Sequence, residues 1–172
     1  MLKYKDIISD LERISLVMKS DKLEIDLVAY LGYKTSFLGK YFSDFFNCQE
    51  IEFPSLHRPN RSKFLANTLN EIYPILPESV LYIISKHYKK LYQKDDRVLK
   101  KNFDLKRVLD GYKSILLVDD NAFTGKTLEG WRKMIDKKVD IHTFSITVTG
   151  EYKPDYFCLE GWHSFEWRAI GI

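Results

Sequence analysis

Apolar residues recur along the chain with two periods, and the points where the period changes divide it into alternating helices and strands. Over residues 3–19, Ile7, Ile8, Leu11, Ile14, Leu16, Val17 and Met18 fall close to helical spacing and predict an amphipathic helix against the core. Ile25 to Leu31 is mostly apolar, as a strand buried on both faces requires, and Gly32 ends it. A second helical pattern, Thr35 to Asn47, carries Phe37, Leu38, Tyr41, Phe42, Phe45 and Phe46, and a hydroxyl of Thr35 or Ser36 is placed to cap it. Glu50 to Phe53 alternates as a short strand closed by Pro54. Helices are expected over 62–73 and 78–92, the second entered through Pro77, and the very polar stretch 94–104 is expected to be mobile. Leu105 to Leu109 predicts a short helix before the Asp110-Gly111 turn.

The pattern is sharpest at Ile115-Leu-Leu-Val-Asp-Asp-Asn-Ala-Phe-Thr-Gly-Lys-Thr127, where an apolar strand runs into two carboxylates, a turn and a helix expected over Lys126 to Lys137. Ile141 to Val148 alternates as another strand, ended by Gly150. The aromatic tail from Tyr152 to Arg168 is strand-prone and predicts an edge hairpin closing the core. Strands alternating with helices define an α/β class: a mainly parallel twisted sheet with helices on both faces. At 172 residues the chain fits one domain, 1–172, with a helical insert at about 60–110 and a small C-terminal hood at about 151–172.

The chemistry concentrates in the motif. Thr124 to Thr127 places backbone N–H groups and two hydroxyls at a helix N-terminus, which favours an anion. Asp119 and Asp120 at the strand tip would repel a bare phosphate, so the ligand must also carry neutral donors such as ribose hydroxyls, or a bound Mg²⁺. A sugar phosphate meets both demands. A Walker A loop is excluded, because it needs glycine at position 120, where this chain has Asp120. A response-regulator receiver domain is excluded by position, since it places its acidic pocket on the first strand and only 44 residues follow Leu128 here.

Composition narrows the remaining classes. The chain is 45% hydrophobic and 15% aromatic, which argues for a folded globule, and no run approaches the roughly 20 apolar residues a membrane helix needs. The first residues lack the apolar core of a secretory signal, so a cytoplasmic location is expected. Cys48 and Cys158 lie far apart and do not suggest a disulfide framework. His57, His87, His142 and His163 show no metal-ligand spacing. Net charge is only +3, yet residues 86–107 hold nine basic side chains against three acidic ones. That stripe can be a solvated helix face, a surface for nucleic acid, or an attractor for a polyanionic small substrate.

Residues 115–127 resemble the PRPP-binding motif of the type I phosphoribosyltransferases, in which hydrophobic residues precede two acids and a loop ending Thr-Gly-x-Thr. The resemblance implies that Asp119 and Asp120 hold the ribose hydroxyls while Asn121, Ala122, Phe123, Thr124, Gly125, Lys126 and Thr127 cradle the 5′-phosphate. Leu31-Gly32-Tyr33-Lys34 is similar to the Gly-Gly-Tyr-Lys of the hypoxanthine-type enzymes, which implies pyrophosphate binding. It departs from that pattern at Leu31, in place of the first glycine, and at Tyr30, in place of a lysine. Tyr152-Lys-Pro-Asp155 resembles their base-binding segment, implying that Lys153 meets the exocyclic oxygen of a purine and that Trp162 stacks on its ring, with Phe165 or Trp167 as alternatives. Phe165-Glu-Trp167 lacks the family's proline, and Phe123 occupies the place of the aspartate that handles the purine N7 proton.

The function implied is transfer of ribose 5-phosphate from PRPP to a nucleobase, a purine by the resemblance, with Mg²⁺ near Asp119 and Asp120 and a homodimer as the assembly. Two rivals follow from the departures and from the charge pattern. One is a weak or inactive PRPP or nucleotide sensor that keeps the site without turnover. The other is a regulator or interaction domain that contacts nucleic acid through 86–107.

Overall fold

The computed structural model describes residues 3–54, 56, 77, 80, 99, 103–161, 163 and 165. Their elements are α1 (Tyr4–Ser20), β1 (Leu27–Leu31), a 3₁₀ turn (Tyr33–Thr35), α2 (Ser36–Phe46), β2 (Gln49–Phe53), α3 (Leu105–Val108), β3 (Ser114–Ala122), α4 (Lys126–Met134), β4 (Asp140–Val148) and β5 (Tyr156–Glu160). All five strands are parallel, in the order β2-β1-β3-β4-β5. The chain therefore winds outward from the centre both ways, and the direction reverses between β1 and β3. Ligands of open parallel sheets bind at such a reversal, beyond the carboxyl ends of the strands.

Alternation along each strand sends side chains to two separate cores. Val28, Leu116, Val118, Phe144 and Ile146 meet Ile7, Leu11, Ile14 and Met18 of α1 and Leu38 and Phe42 of α2. On the opposite face Leu27, Ala29, Ile115 and Leu117 meet Leu128 and Trp131 of α4 together with Leu109. The four α1 residues stand at helical intervals of three and four, which is why a single face of that helix is buried. The start of the central pair is fixed by Asp26, whose carboxylate accepts from the N–H groups of Lys113 and Ser114 at 2.9 and 3.0 Å.

Three expectations are corrected. Tyr156–Glu160, within the stretch expected as an edge hairpin and hood, pairs parallel with β4 as the edge strand of the main sheet. That edge is covered by α1, where Arg13 donates to the Cys158 carbonyl and the Tyr156 hydroxyl donates to Asp21 at 2.9 Å. The motif helix ends at Met134 rather than Lys137, because Ile135 turns to an extended conformation and packs into the core. Thr35 does not cap α2; its hydroxyl donates back to the Gly32 carbonyl at 2.9 Å. The helices expected over 62–73 and 78–92, and most of the basic stretch 86–107, lie outside the described residues.

The contact of β5 with α1 makes the fold sensitive to alkali. Burial, reinforced by Asp10 and opposed by Arg13, pushes the Cys158 thiol up to about 12 from an ordinary 9.0. Burial and the hydrogen bond to Asp21 push the Tyr156 phenol up to about 12 from 10.0. Both groups are neutral in the fold, whereas the unfolded chain loses these protons near 9 and 10. Their contribution to stability is thus complete below pH 9 and is lost as pH rises to about 12, at roughly 1 kcal/mol per pH unit for the buried thiol. Melting temperature should stay level up to pH 9 and fall above it, with a shallower fall in a Cys158→Ala, Tyr156→Phe variant. An equal slope in that variant would assign the alkaline transition to other groups.

Candidate functional site

β3 is longer than β1, and this difference opens the site. Pairing of β1 with β3 ends at Tyr30 and Val118, while β3 continues to Ala122 with only β4 beside it. Past Val118 the flank of β3 facing β1 has no strand neighbour among the described residues, and the 3₁₀ turn that follows β1 packs alongside it. The two segments singled out in the sequence, Leu31–Lys34 and Asn121–Thr127, thus meet at the carboxyl end of adjacent strands.

The two acids occupy different environments. Asp120 follows the alternation of Leu116 and Val118 and is 4% exposed. Asp119 is half-buried, and its Oδ1 accepts from the N–H of Asp120 at 2.8 Å. Asn121 accepts from the Thr149 hydroxyl at 3.1 Å, and Thr147 donates to the Asp120 carbonyl. The end of β3 is therefore anchored to β4 from one side.

Gly125 turns the chain from strand into helix with φ at +66°, in the left-handed region that a Cβ disfavours. The N-cap residue Gly125 has no side chain to cap α4, and the start of Lys126–Met134 has the anion-binding character of a helix N-terminus. Phe123, Thr124, Lys126 and Thr127 are half-buried around this turn, and Ala122 is buried.

At the β1 end Gly32 has φ at +84°, and its N–H donates to the Phe53 carbonyl at 3.0 Å. Tyr33 is exposed, and the Lys34 ammonium lies 5.8 Å from the centre of its ring. Leu31 is spent in the core, so only its backbone borders the turn. Tyr30, where the resembling family has lysine, packs its ring onto Gly39 of α2. Burial, followed by Glu52 and Glu50, pushes its phenol up, so the position is uncharged at neutral pH.

The expected base segment is placed less uniformly. Lys153 is exposed, ion-paired with Glu160 at 2.6 Å and 5.6 Å from the centre of the Phe157 ring. Phe165 is 2% exposed, in the core cluster that also contains the buried residues of α1. Trp162 and Trp167 lie outside the described residues. Thr149 and Gly150, which have no expected role from the sequence, line the back of the Gly125 turn together with Tyr152. The only hint of them was a Thr-Gly pair ending the alternation of β4.

Among the described residues no group of three or more His, Cys, Asp or Glu side chains could by itself hold a metal ion. The donor set nevertheless suits Mg²⁺ brought by a ligand, since that ion is commonly held by one or two carboxylates together with phosphate oxygens and water. Among the described residues no helix is long and apolar enough to cross a membrane.

Taken together, a five-stranded parallel sheet, helices on both faces and an acidic strand tip leading into a glycine turn define the fold of the type I phosphoribosyltransferases, and the structural neighbours include purine phosphoribosyltransferases. The Helicobacter pylori xanthine-guanine-hypoxanthine phosphoribosyltransferase superimposes with a TM-score of 0.65 over 97% of this chain and 92% of its own, at 14% identity. A purine phosphoribosyltransferase from Pyrococcus horikoshii Ot3 gives 0.61 over 96% and 91%, at 15% identity. A hypothetical protein from Neisseria gonorrhoeae with bound ppGpp also gives 0.61, over 96% and 86%, at 11% identity. No protein-family model and no curated protein sequence matches the chain.

Proposed function

We propose that this protein transfers ribose 5-phosphate from PRPP to a nucleobase, a purine, and releases pyrophosphate. The observation that carries the reading is the pair Asp119-Asp120 at the tip of the central strand, followed after four intervening residues by the Gly125 turn and the start of α4. In this reading the carboxylates hold the ribose hydroxyls and the N–H groups of 121–127 hold the 5′-phosphate. Gly32 to Lys34 and the backbone of Leu31 face the pyrophosphate. Lys153, with Trp162, receives the base.

A ring nitrogen of the base forms the bond to C1′ as the bond from C1′ to the pyrophosphate oxygen breaks, and the electron pair leaves on pyrophosphate. The base then loses its ring proton. Positive charge develops at C1′, so carboxylates close to the ribose favour the transition state, and the fixed N–H groups hold the substrate in line. Mg²⁺, when bound, would lie near Asp119 and Asp120 and offset the charge of the departing pyrophosphate. Phe123 cannot exchange a proton with the base; proton transfer by a side chain typically contributes about 100-fold to 10,000-fold, so slow turnover is expected.

The test is calorimetry of PRPP with Mg²⁺, followed by measurement of pyrophosphate release with a panel of nucleobases. Asp120→Asn should reduce PRPP affinity at least about tenfold, the scale of one charged hydrogen bond. Normal binding in that variant would remove the acids from the site.

A second reading is favoured by Phe123, Leu31 and Tyr30, and by the likeness to a protein with bound ppGpp. It is a nucleotide-binding regulator that keeps the ribose-phosphate site without turnover. Binding of PRPP with no pyrophosphate release from any base would select it.

A further inference from the structure

The segment after β4 touches the phosphate turn at four successive points. The Thr149 N–H donates to the Ala122 carbonyl at 3.4 Å, and the Thr149 hydroxyl donates to Asn121 Oδ1 at 3.1 Å. Gly150 lies so close to the Phe123 carbonyl that a Cβ there would overlap it. The Tyr152 ring lies against Gly125 so closely that a Cβ on the glycine would fall within it. Residues 121, 122, 123 and 125 are thus each matched by a partner in 149–152.

We propose that 149–152 is a brace that holds the phosphate turn in its binding shape before the ligand arrives, with Tyr152 as its positioning residue. The inference rests on the ribose-phosphate reading of that turn. Backbone N–H groups bind an anion well only when they already converge, because ordering them on binding costs affinity. Gly125 is in a conformation that other backbones tend to leave, and its own glycine freedom makes it soft. The flat face of Tyr152 supplies the missing restraint. Its fit depends on the absence of a Cβ at Gly125, so the glycine serves the contact as well as the turn.

The ring, rather than the hydroxyl, is the working part. The Tyr152 oxygen is buried and makes no hydrogen bond of good geometry among the described residues. The nearby Thr143 hydroxyl is engaged by the carboxylate and N–H of Asp155 at 2.8 and 3.0 Å. Burial pushes the phenol up, so it stays neutral at physiological pH. Tyr152→Phe should then keep the brace, whereas Tyr152→Leu should release it. Gly150→Ala gives an independent probe from the other end, because it drives the Phe123 carbonyl out of place without touching Tyr152.

Dissociation constants for ribose 5-phosphate, measured by calorimetry at a temperature where every variant is folded, test the proposal. Expected are values within about twofold of the parent for Tyr152→Phe, and roughly tenfold weaker binding for Tyr152→Leu and for Gly150→Ala. Parent-like affinity in Tyr152→Leu, or a loss in Tyr152→Phe equal to that in Tyr152→Leu, would overturn the brace while leaving the ribose-phosphate reading intact. No binding of ribose 5-phosphate by the parent protein would overturn both.

Discussion

Replacing Gly125 by valine should weaken ribose 5-phosphate binding roughly a hundredfold or more, the equivalent of losing two charged hydrogen bonds, while the sheet stays folded. Two effects act together. A φ of +66° is costly for a β-branched residue, by about 1–2 kcal/mol, so the backbone relaxes toward negative φ and swings the first N–H groups of α4 away from their convergence. The new side chain also occupies the volume of the Tyr152 ring, so the loop cannot relax in place. Stability should fall by no more than a few kcal/mol, because α4 stays anchored by Leu128 and Trp131 in the core. Adding Tyr152→Leu to Gly125→Ala would relieve the collision but not the backbone strain, which separates the two effects. Parent-like affinity in Gly125→Val, measured by calorimetry, would mean that the phosphate is held elsewhere.

The motif was legible because each of its parts is local. An apolar run such as Ile115 to Val118 can be buried only as a strand within a sheet covered on both sides, and the structure gives it a neighbour on each edge. Glycine before Lys126 announced a turn into helix, and its positive φ accounts for it. The juxtaposition of Gly32 with that turn was also accessible, because a strand-glycine-helix unit occurring twice implies two turns at one end of a parallel sheet. What residue types alone could not separate was the state of two adjacent acids. Asp119 and Asp120 look equivalent in sequence, yet strand alternation buries one and leaves the other half-buried.

The misread parts depend on contacts between residues distant in sequence. Tyr156 to Glu160 has the composition of an edge strand, but composition does not fix its direction. The strand pairs parallel with β4 and is held to α1 and its C-terminal end, more than 130 residues earlier, through Arg13 and Asp21. The place of Phe165 in the core was not legible either, since packing and stacking both need only a large apolar face. The Thr35 hydroxyl had two acceptable uses, a helix cap or a bond within its own turn, and the closeness of the Gly32 carbonyl decided for the second. Tyr152 was noticed for its place beside Lys153, while its contact with Gly125 spans 27 residues and follows from no local pattern.

That the same helix serves both core and site leads to the largest expected change in stability. Trp131→Ala should cost about 3–5 kcal/mol, a large share of the roughly 5–15 kcal/mol available to a domain of this size. The indole is fully buried, with its ring centre 4.6 Å from that of Phe53 and 5.8 Å from that of Phe103. Truncation would leave a cavity at the meeting of α4, the end of β2 and the segment before α3, which elements anchored on both sides cannot close by collapse. Trp131→Phe should be far milder, because it keeps an aromatic ring and removes a buried N–H that has no hydrogen-bond partner among the described residues. Because α4 begins at the Gly125 turn, proposed to hold the phosphate, the alanine variant should also bind ribose 5-phosphate more weakly even under conditions where it is folded. Urea unfolding of the three proteins decides the matter: a loss below about 1 kcal/mol in Trp131→Ala would show that the indole is not a structural support of this helix.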